Sequence, residues 1–247
     1  MASNRTDPSD ANRLFWNELC GTSLARSLDI TDHTTDSLRR FDEAYMGLYP
    51  YLLHHVPVGS FAGLRVLEVG LGYGTLGQKI AQTCASYTGL DIAHGPVGMM
   101  RYRFILQGIS GEAIQGNILN APFPNECFDR IVSIGCFHHT GNIQRCIDES
   151  YRLLRPGGIA HLMVYNQFSA RQWTRWPART LGVWLTEIGF VGGGSAPFAE
   201  QRAAYDYNSE GAAAPETDFC SPRSLRQMLR RFRRASLTKE NFDDVTL

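Results

Sequence analysis

Leu64-Arg65-Val66-Leu67-Glu68-Val69-Gly70-Leu71-Gly72-Tyr73-Gly74-Thr75 is the stretch from which the fold can be read. Val66, Leu67 and Val69 make a short apolar run, the pattern of a strand buried on both faces in a parallel sheet. Glu68 is its single acidic residue. Three glycines follow at alternate positions, and Leu76-Gly77-Gln78-Lys79-Ile80-Ala81 then reads as a helix. Strand, glycine turn and helix bring backbone N–H groups close to a nucleotide-like ligand. In a dinucleotide fingerprint, Gly-x-Gly-x-x-Gly, the third glycine counted from Gly70 would stand at Thr75. Here it comes one residue earlier, at Gly74, and Glu68 lies two residues before the first.

Further strand ends follow in order. Tyr87-Thr88-Gly89-Leu90-Asp91 reads as a second strand closing on an acid. Asp91 has the spacing from the first motif expected of a carboxylate that accepts from two ribose hydroxyls. Ile114-Gln115-Gly116-Asn117-Ile118 reads as a third strand running into a loop, and Arg130-Ile131-Val132-Ser133-Ile134-Gly135 as a fourth, leading into Cys136-Phe137-His138-His139-Thr140. A helix with apolar Ile143, Cys146, Ile147 and Leu154 meets Arg155-Pro156-Gly157-Gly158, where proline and glycine stop it. Ile159 to Tyr165 is the fifth strand.

Taken in order, these motifs resemble those of the class I S-adenosylmethionine (SAM) dependent methyltransferases, in the small-molecule, type 11-like branch. The resemblance covers roughly residues 64–166. It implies a Rossmann-like, doubly wound α/β fold, with a mostly parallel sheet and helices on both faces. It also implies SAM as cofactor, S-adenosylhomocysteine as product, and cofactor contacts from Glu68, Gly70, Gly72, Gly74, Asp91, Asn117, Ile118, Gly135 and Cys136. Glu68 would hold the amino-acid end. Backbone at Gly135 and Cys136 would line the floor near the transferable methyl. The family usually has Asp where Asn117 stands; an amide oxygen can accept the same bond from the adenine amino group. His138 and His139 fall just past the fourth strand, at the sheet edge where such folds bind ligands. Either could take an acceptor's proton or simply hold the loop. Tyr165 could line the acceptor pocket or pack.

The flanks divide the chain into an N-terminal tail and helical cap (1–60), the core (61–166), a variable insertion (167–220) and a final helix and strand (221–247). The first dozen residues are polar and read as disordered. Phe41, Tyr45, Leu48 and Leu52 recur at helical spacing, in a segment that either folds over the cofactor or covers a sheet edge. The insertion holds Trp173, Trp176 and Trp184 and a glycine joint at Gly192-Gly193-Gly194-Ser195. It reads as a lid whose Trp173 and Trp176 wall the acceptor pocket. Arg171, Arg175 and Arg179 would share one helix face, in water. Ser221 caps a last helix with an apolar stripe of Leu225, Met228, Leu229 and Phe232, and its other face carries Arg223, Arg226 and Arg230. A strand near 235–242 would follow, leaving no residues for the family's seventh.

Composition narrows function. The 24 basic and 24 acidic residues cancel, with −4 on residues 1–150 and +4 on 151–247 (13 basic against 9 acidic). That asymmetry is too small to argue for nucleic acid as principal partner. No apolar run reaches membrane-spanning length, and the start lacks a secretion signal's apolar core. Six scattered cysteines without a CxxC pair suit a reducing cytoplasm and give no zinc site. The fourth strand ends without the Asn/Asp-Pro-Pro-Tyr signature of amine and amide methylation, and without acidic ligands for magnesium. The expectation is therefore methyl transfer to a small molecule, at oxygen before carbon or nitrogen, without a metal. The rival is a catalytically silent SAM-binding or scaffold protein of the same fold.

Overall fold

A computed structural model describes residues 8–18, 22–189 and 196–240. The N-terminal part is helical: α1 (Pro8–Phe15), α2 (Thr22–Ser27), α3 (Thr35–Leu48) and α4 (Leu52–His55). The sheet then alternates with helices as β1 (Arg65–Val69), α5 (Thr75–Ala81), β2 (Ser86–Asp91), α6 (His94–Gln107), β3 (Glu112–Gln115), β4 (Phe128–Ile134), α7 (Ile143–Leu153) and β5 (Leu154–Met163). After it come α8 (Ala170–Arg175), α9 (Pro177–Glu187), α10 (Ala199–Ala203) and α11 (Pro222–Met228). No helix among the described residues is long and apolar enough to cross a membrane.

All pairings are parallel, in the order β3-β2-β1-β4-β5. Alternation along β1 explains the layers. Val66 packs with Leu76 and Ile80 of α5 and Val97, Met100 and Phe104 of α6 on one face, and Leu67 and Val69 pack with Cys146 and Leu153 of α7 on the other. The order reverses direction between β1 and β4, which opens a crevice at their carboxyl ends.

Local signals set the helix ends. Asn142 accepts from Arg145 N at 3.0 Å to start α7, and Ser221 and Ser224 form a reciprocal capping box at α11. The stripe of α11 packs as expected: Leu225 and Met228, with Leu229 and Phe232 beyond, lie against Ile143 and Ile147 of α7.

Four expectations are corrected. Residues 8–12 begin a helix, closed by an i,i+3 pair of Asp10 and Arg13 at 2.9 Å, instead of continuing a disordered tail. Residues 235–240 form no strand, while 241 and 242 lie outside the described residues, as does the joint at 192–195. Segment 216–220 instead runs beside the residues that leave β4 and β5: Asp218 N donates to His138 O and Cys220 N to Tyr165 O. Finally, Arg171, Arg175 and Arg179 share no helix face, because the chain breaks at Trp176 between α8 and α9. Nor are Arg171 and Arg179 simply solvated; they sit over the rings of Tyr205 and Phe198 at 4.6 and 5.4 Å.

Candidate active site

The glycine loop after β1 occupies the crevice. Gly70, Gly72 and Gly74 all have positive φ. Gly70 shows why no side chain is tolerated: a Cβ there would stand 2.5 Å from Cys136 Cβ, the residue that leaves β4 on the other side of the strand reversal. At φ +78, Gly74 makes the turn into α5.

Two acidic side chains lie beneath the loop. Glu68 is buried on β1, and the Tyr87 hydroxyl donates a short hydrogen bond to it. A Cβ on Gly77 would strike that carboxylate, so glycine lets α5 pass over it. Burial pushes the Glu68 carboxyl up to about 8, against the pull of the Tyr87 bond. Asp91, at the end of β2, accepts from Leu71 N at 2.8 Å and Ala93 N at 2.9 Å, which ties the loop to β2. Burial raises it to about 6, opposed by those backbone bonds. Neither carboxyl has a basic partner among the described residues. A buried acidic pair of this kind is stabilised by a ligand that brings cationic or hydroxyl donors.

One cavity brings together most of the residues expected from sequence: Glu68, Gly70, Gly72, Gly74, Asp91, Asn117, Ile118, Gly135, Cys136 and His139 all line it. Asn117 accepts from Leu119 N at 2.9 Å and donates to Ser9 Oγ at 3.2 Å. The second bond docks α1 over the cavity. Through it the fold adds three lining residues that sequence reading missed, Ser9, Asn12 and Trp16. Asn12 Oδ1 and Trp16 Nε1 are buried there without a hydrogen-bond partner, an acceptor and a donor available to a ligand. The signal for α1 was present in the Asp10 and Arg13 spacing, but the polar composition masked it.

His139 is held at the cavity wall beneath Trp16, with ring centroids 4.6 Å apart. Its Nδ1 lies 2.8 Å from the Glu216 carbonyl oxygen and its Nε2 3.4 Å from Asp206 Oδ2, which also accepts from the Tyr165 hydroxyl at 2.8 Å. With Nδ1–H donating to the carbonyl, Nε2 faces the Asp206 carboxylate. Asp206 lies 67 positions after His139, with no motif to announce it.

Four expected residues stand away from the cavity lining. His138 is fully buried with neither ring nitrogen bonded, stacked on Tyr165 at 3.9 Å; burial drives its pKa well down, so it packs as a neutral ring. Tyr165 meets the site through Asp206 and edge-on to the His139 ring at 5.9 Å. Trp173 is exposed on α8, and Trp176 packs edge-on to Phe198 at 6.0 Å. The break between α8 and α9 points both tryptophans elsewhere. Among the described residues no three His, Cys, Asp or Glu side chains gather as a metal site.

Residues 67–162 match the family profile described as a methyltransferase domain. That stretch, about two-fifths of the chain, is similar to a methyltransferase domain. The chain is 29% identical over 163 residues to phthiotriol/phenolphthiotriol dimycocerosates methyltransferase 1 of Mycobacterium ulcerans, covering 65% of this chain and 56% of that protein. It is 34% identical over 122 residues to a sterol 24-C-methyltransferase of Gibberella zeae, covering 48% and 32%. The chain thus spans about half or less of the length of these relatives. The crystal structure of the YcgJ protein from Bacillus subtilis shares the fold, with a TM-score of 0.52 at 16% identity over 74% of this chain and 67% of that one. The matched stretch holds every expected cofactor residue and both histidines, but neither α1 nor Asp206.

Proposed function

We propose that this chain is a SAM-dependent methyltransferase acting on a small molecule, with oxygen as the acceptor atom. The observation that carries the reading is the convergence of Glu68, the glycine loop, Asp91, Asn117 and the Gly135–Cys136 backbone on one cavity. The methyltransferase relatives support it. The cradle fits the cofactor: Gly70 has no room for a side chain, and the buried acids lack a basic partner. Glu68 would hold the amino-acid end, Asp91 the ribose hydroxyls, and Asn117 and Ile118 the adenine. When bound, SAM supplies an electrophilic methyl on a sulfonium.

The chain's own part is then positioning and proton handling. The His139–Asp206 pair would receive the acceptor's proton, which is then held between Nε2 and the carboxylate. Tyr165 holds Asp206 by its hydroxyl. Trp16 covers the imidazole and keeps water from it. The oxygen assignment is supported by this pair, since a hydroxyl needs a base at the moment its oxygen becomes nucleophilic. The sterol 24-C-methyltransferase relative favours a second reading, transfer to carbon.

Calorimetry with SAM and NAD tests cofactor choice. SAM should bind, and Asp91→Asn should weaken it about ten- to a hundredfold, the worth of roughly 1.5–3 kcal/mol for hydrogen bonds to a charged acceptor. Equal binding of NAD would remove the assignment. Incubation with methyl-labelled SAM and a fractionated cell extract then identifies the product, and its label position distinguishes O-methyl from C-methyl. Binding without any labelled product would favour the silent protein.

A further inference from the structure

Helix α9 turns large apolar side chains to solvent. Leu181, Trp184 and Ile188, spaced i, i+3, i+7, are 45%, 42% and 46% exposed. That spacing puts them in one row. The row ends at α11: the Ser221 hydroxyl donates to the Glu187 carboxylate, and Arg223 Nη1 to the Glu187 carbonyl at 2.6 Å.

From that junction the surface becomes strongly basic. Six arginines fall between Arg223 and Arg234, Lys239 follows, and no acidic residue occurs from Phe219 to Lys239. Arg231 is engaged by Asp148 and the Tyr151 ring. Arg226, Arg230, Arg233 and Arg234 are exposed, with no partner among the described residues. The chain as a whole is neutral, so this concentration of charge is local. Nucleic acid would use the arginines but not the row of leucine, tryptophan and isoleucine beside them. A bilayer with anionic headgroups uses both, because apolar side chains enter the interface while arginines meet lipid phosphates.

We propose that α9 and the basic segment from Arg223 to Arg234 form one docking surface for an anionic lipid bilayer, with the Leu181–Trp184–Ile188 row at the acyl boundary and the arginines on the phosphates. This surface is separate from the cavity residues and does not depend on the identity of the methyl acceptor. The proposed attachment is peripheral: no helix among the described residues is long and apolar enough to cross a membrane.

The test is sedimentation of the full chain with vesicles of phosphatidylglycerol and phosphatidylcholine, against vesicles of phosphatidylcholine alone. Binding should require phosphatidylglycerol and weaken as salt rises. Replacing Arg226, Arg230 and Arg234 together by Gln should lower the partition coefficient about a hundredfold, at about fivefold per arginine. Vesicles with brominated acyl chains should quench tryptophan emission, and Trp184→Phe should remove most of that quenching; its cofactor-binding calorimetry reports that it remains folded. Equal binding to phosphatidylcholine alone, no effect of the triple replacement, or quenching unchanged in Trp184→Phe would overturn the proposal. So would retention by an RNA duplex with no retention by vesicles at low salt.

Discussion

Asp42→Ala should cost more stability than any other single change at a partly exposed carboxylate in this chain. Arg103 of α6 is fully buried, and all its partners are acceptors. Its Nε donates to the Tyr73 carbonyl at 2.6 Å, Nη1 to Gln78 Oε1 at 2.9 Å, and Nη1 and Nη2 to the two Asp42 oxygens at 2.9 and 2.8 Å. Asp42 also accepts from Thr75 Oγ1 at 2.6 Å. Removing the carboxylate leaves a guanidinium charge in the interior, a change that typically costs 3–5 kcal/mol. Asp42 is one-fifth exposed and water can enter where it stood, so about 3 kcal/mol is expected. In a chain of this length each kcal/mol lowers Tm by about 2–4 °C, giving roughly 6–12 °C by calorimetry of the ligand-free protein. Asp42→Asn, which keeps one acceptor, should fall between wild type and Ala.

The decisive control is the double replacement Asp42→Ala with Arg103→Met. Removing the charge should restore much of the lost stability, because the penalty lies in the unpaired ion and not in the lost contact. Cofactor affinity should stay low in the double variant, because Arg103 no longer holds the Tyr73 carbonyl inside the glycine loop. A Tm loss under about 2 °C for Asp42→Ala, or a double variant no more stable than the single, would refute the reasoning.

Burial raises Glu68 from 4.5 to about 8, so the folded chain holds a proton that the unfolded chain has released across that range; stability of the ligand-free protein should fall as pH rises from about 6.5 to 8, and Glu68→Gln should flatten the decline in urea titrations. His138 acts in the other direction. Its depressed pKa means that only the unfolded chain takes up the proton below about pH 6.5, which offsets the gain from Glu68 and Asp91 there, so His138→Phe should become more stable than wild type by a margin that grows as pH falls below 6.5. Gly70→Ala, with φ +83 and a Cβ 2.5 Å from that of Cys136, should abolish SAM binding in calorimetry while the sheet's circular dichroism persists. Asp206→Asn should lower kcat by about a hundredfold, with SAM affinity nearly unchanged; a parallel loss of both would assign Asp206 to structure.

The part of the fold that was legible in sequence is the part built from local signals. The run Val66–Val69, the glycine turn, and the acid closing Tyr87–Asp91 each lie within a few residues, and each strand end they mark meets the same crevice. The departures have physical reasons as well. Residues 8–12 carry too few apolar side chains to suggest burial, yet α1 is held by a hydrogen bond from Asn117 Nδ2 and by Trp16 lying on His139, with Asn17 accepting from Gly95 N and Glu18 from Ser209 just beyond it. Asp206 joins the site through the Tyr165 hydroxyl and His139, far from both in sequence, a pairing that no periodicity encodes. Trp173 and Trp176 suggested a pocket wall because they are large and close in sequence, but a helix break decides where they point.

Asn117 shows how a departure from the family pattern can follow from its surroundings. An aspartate there would add a third carboxyl to a cavity where Glu68 and Asp91 are already raised to about 8 and 6 by burial, with no lysine or arginine among the described residues that line it. A neutral amide avoids that repulsion, and its Oδ1 still caps the turn at Leu119. Its Nδ2 can also do what an ionised carboxylate cannot, donate to Ser9 and so hold α1 across the cavity mouth. Asn117→Asp should therefore keep the Leu119 bond but lose the donor toward α1. Proteolysis within residues 8–18 should then become faster in the ligand-free protein, with the sheet's melting little changed. If α1 were held by Trp16 alone, cleavage rates would not move.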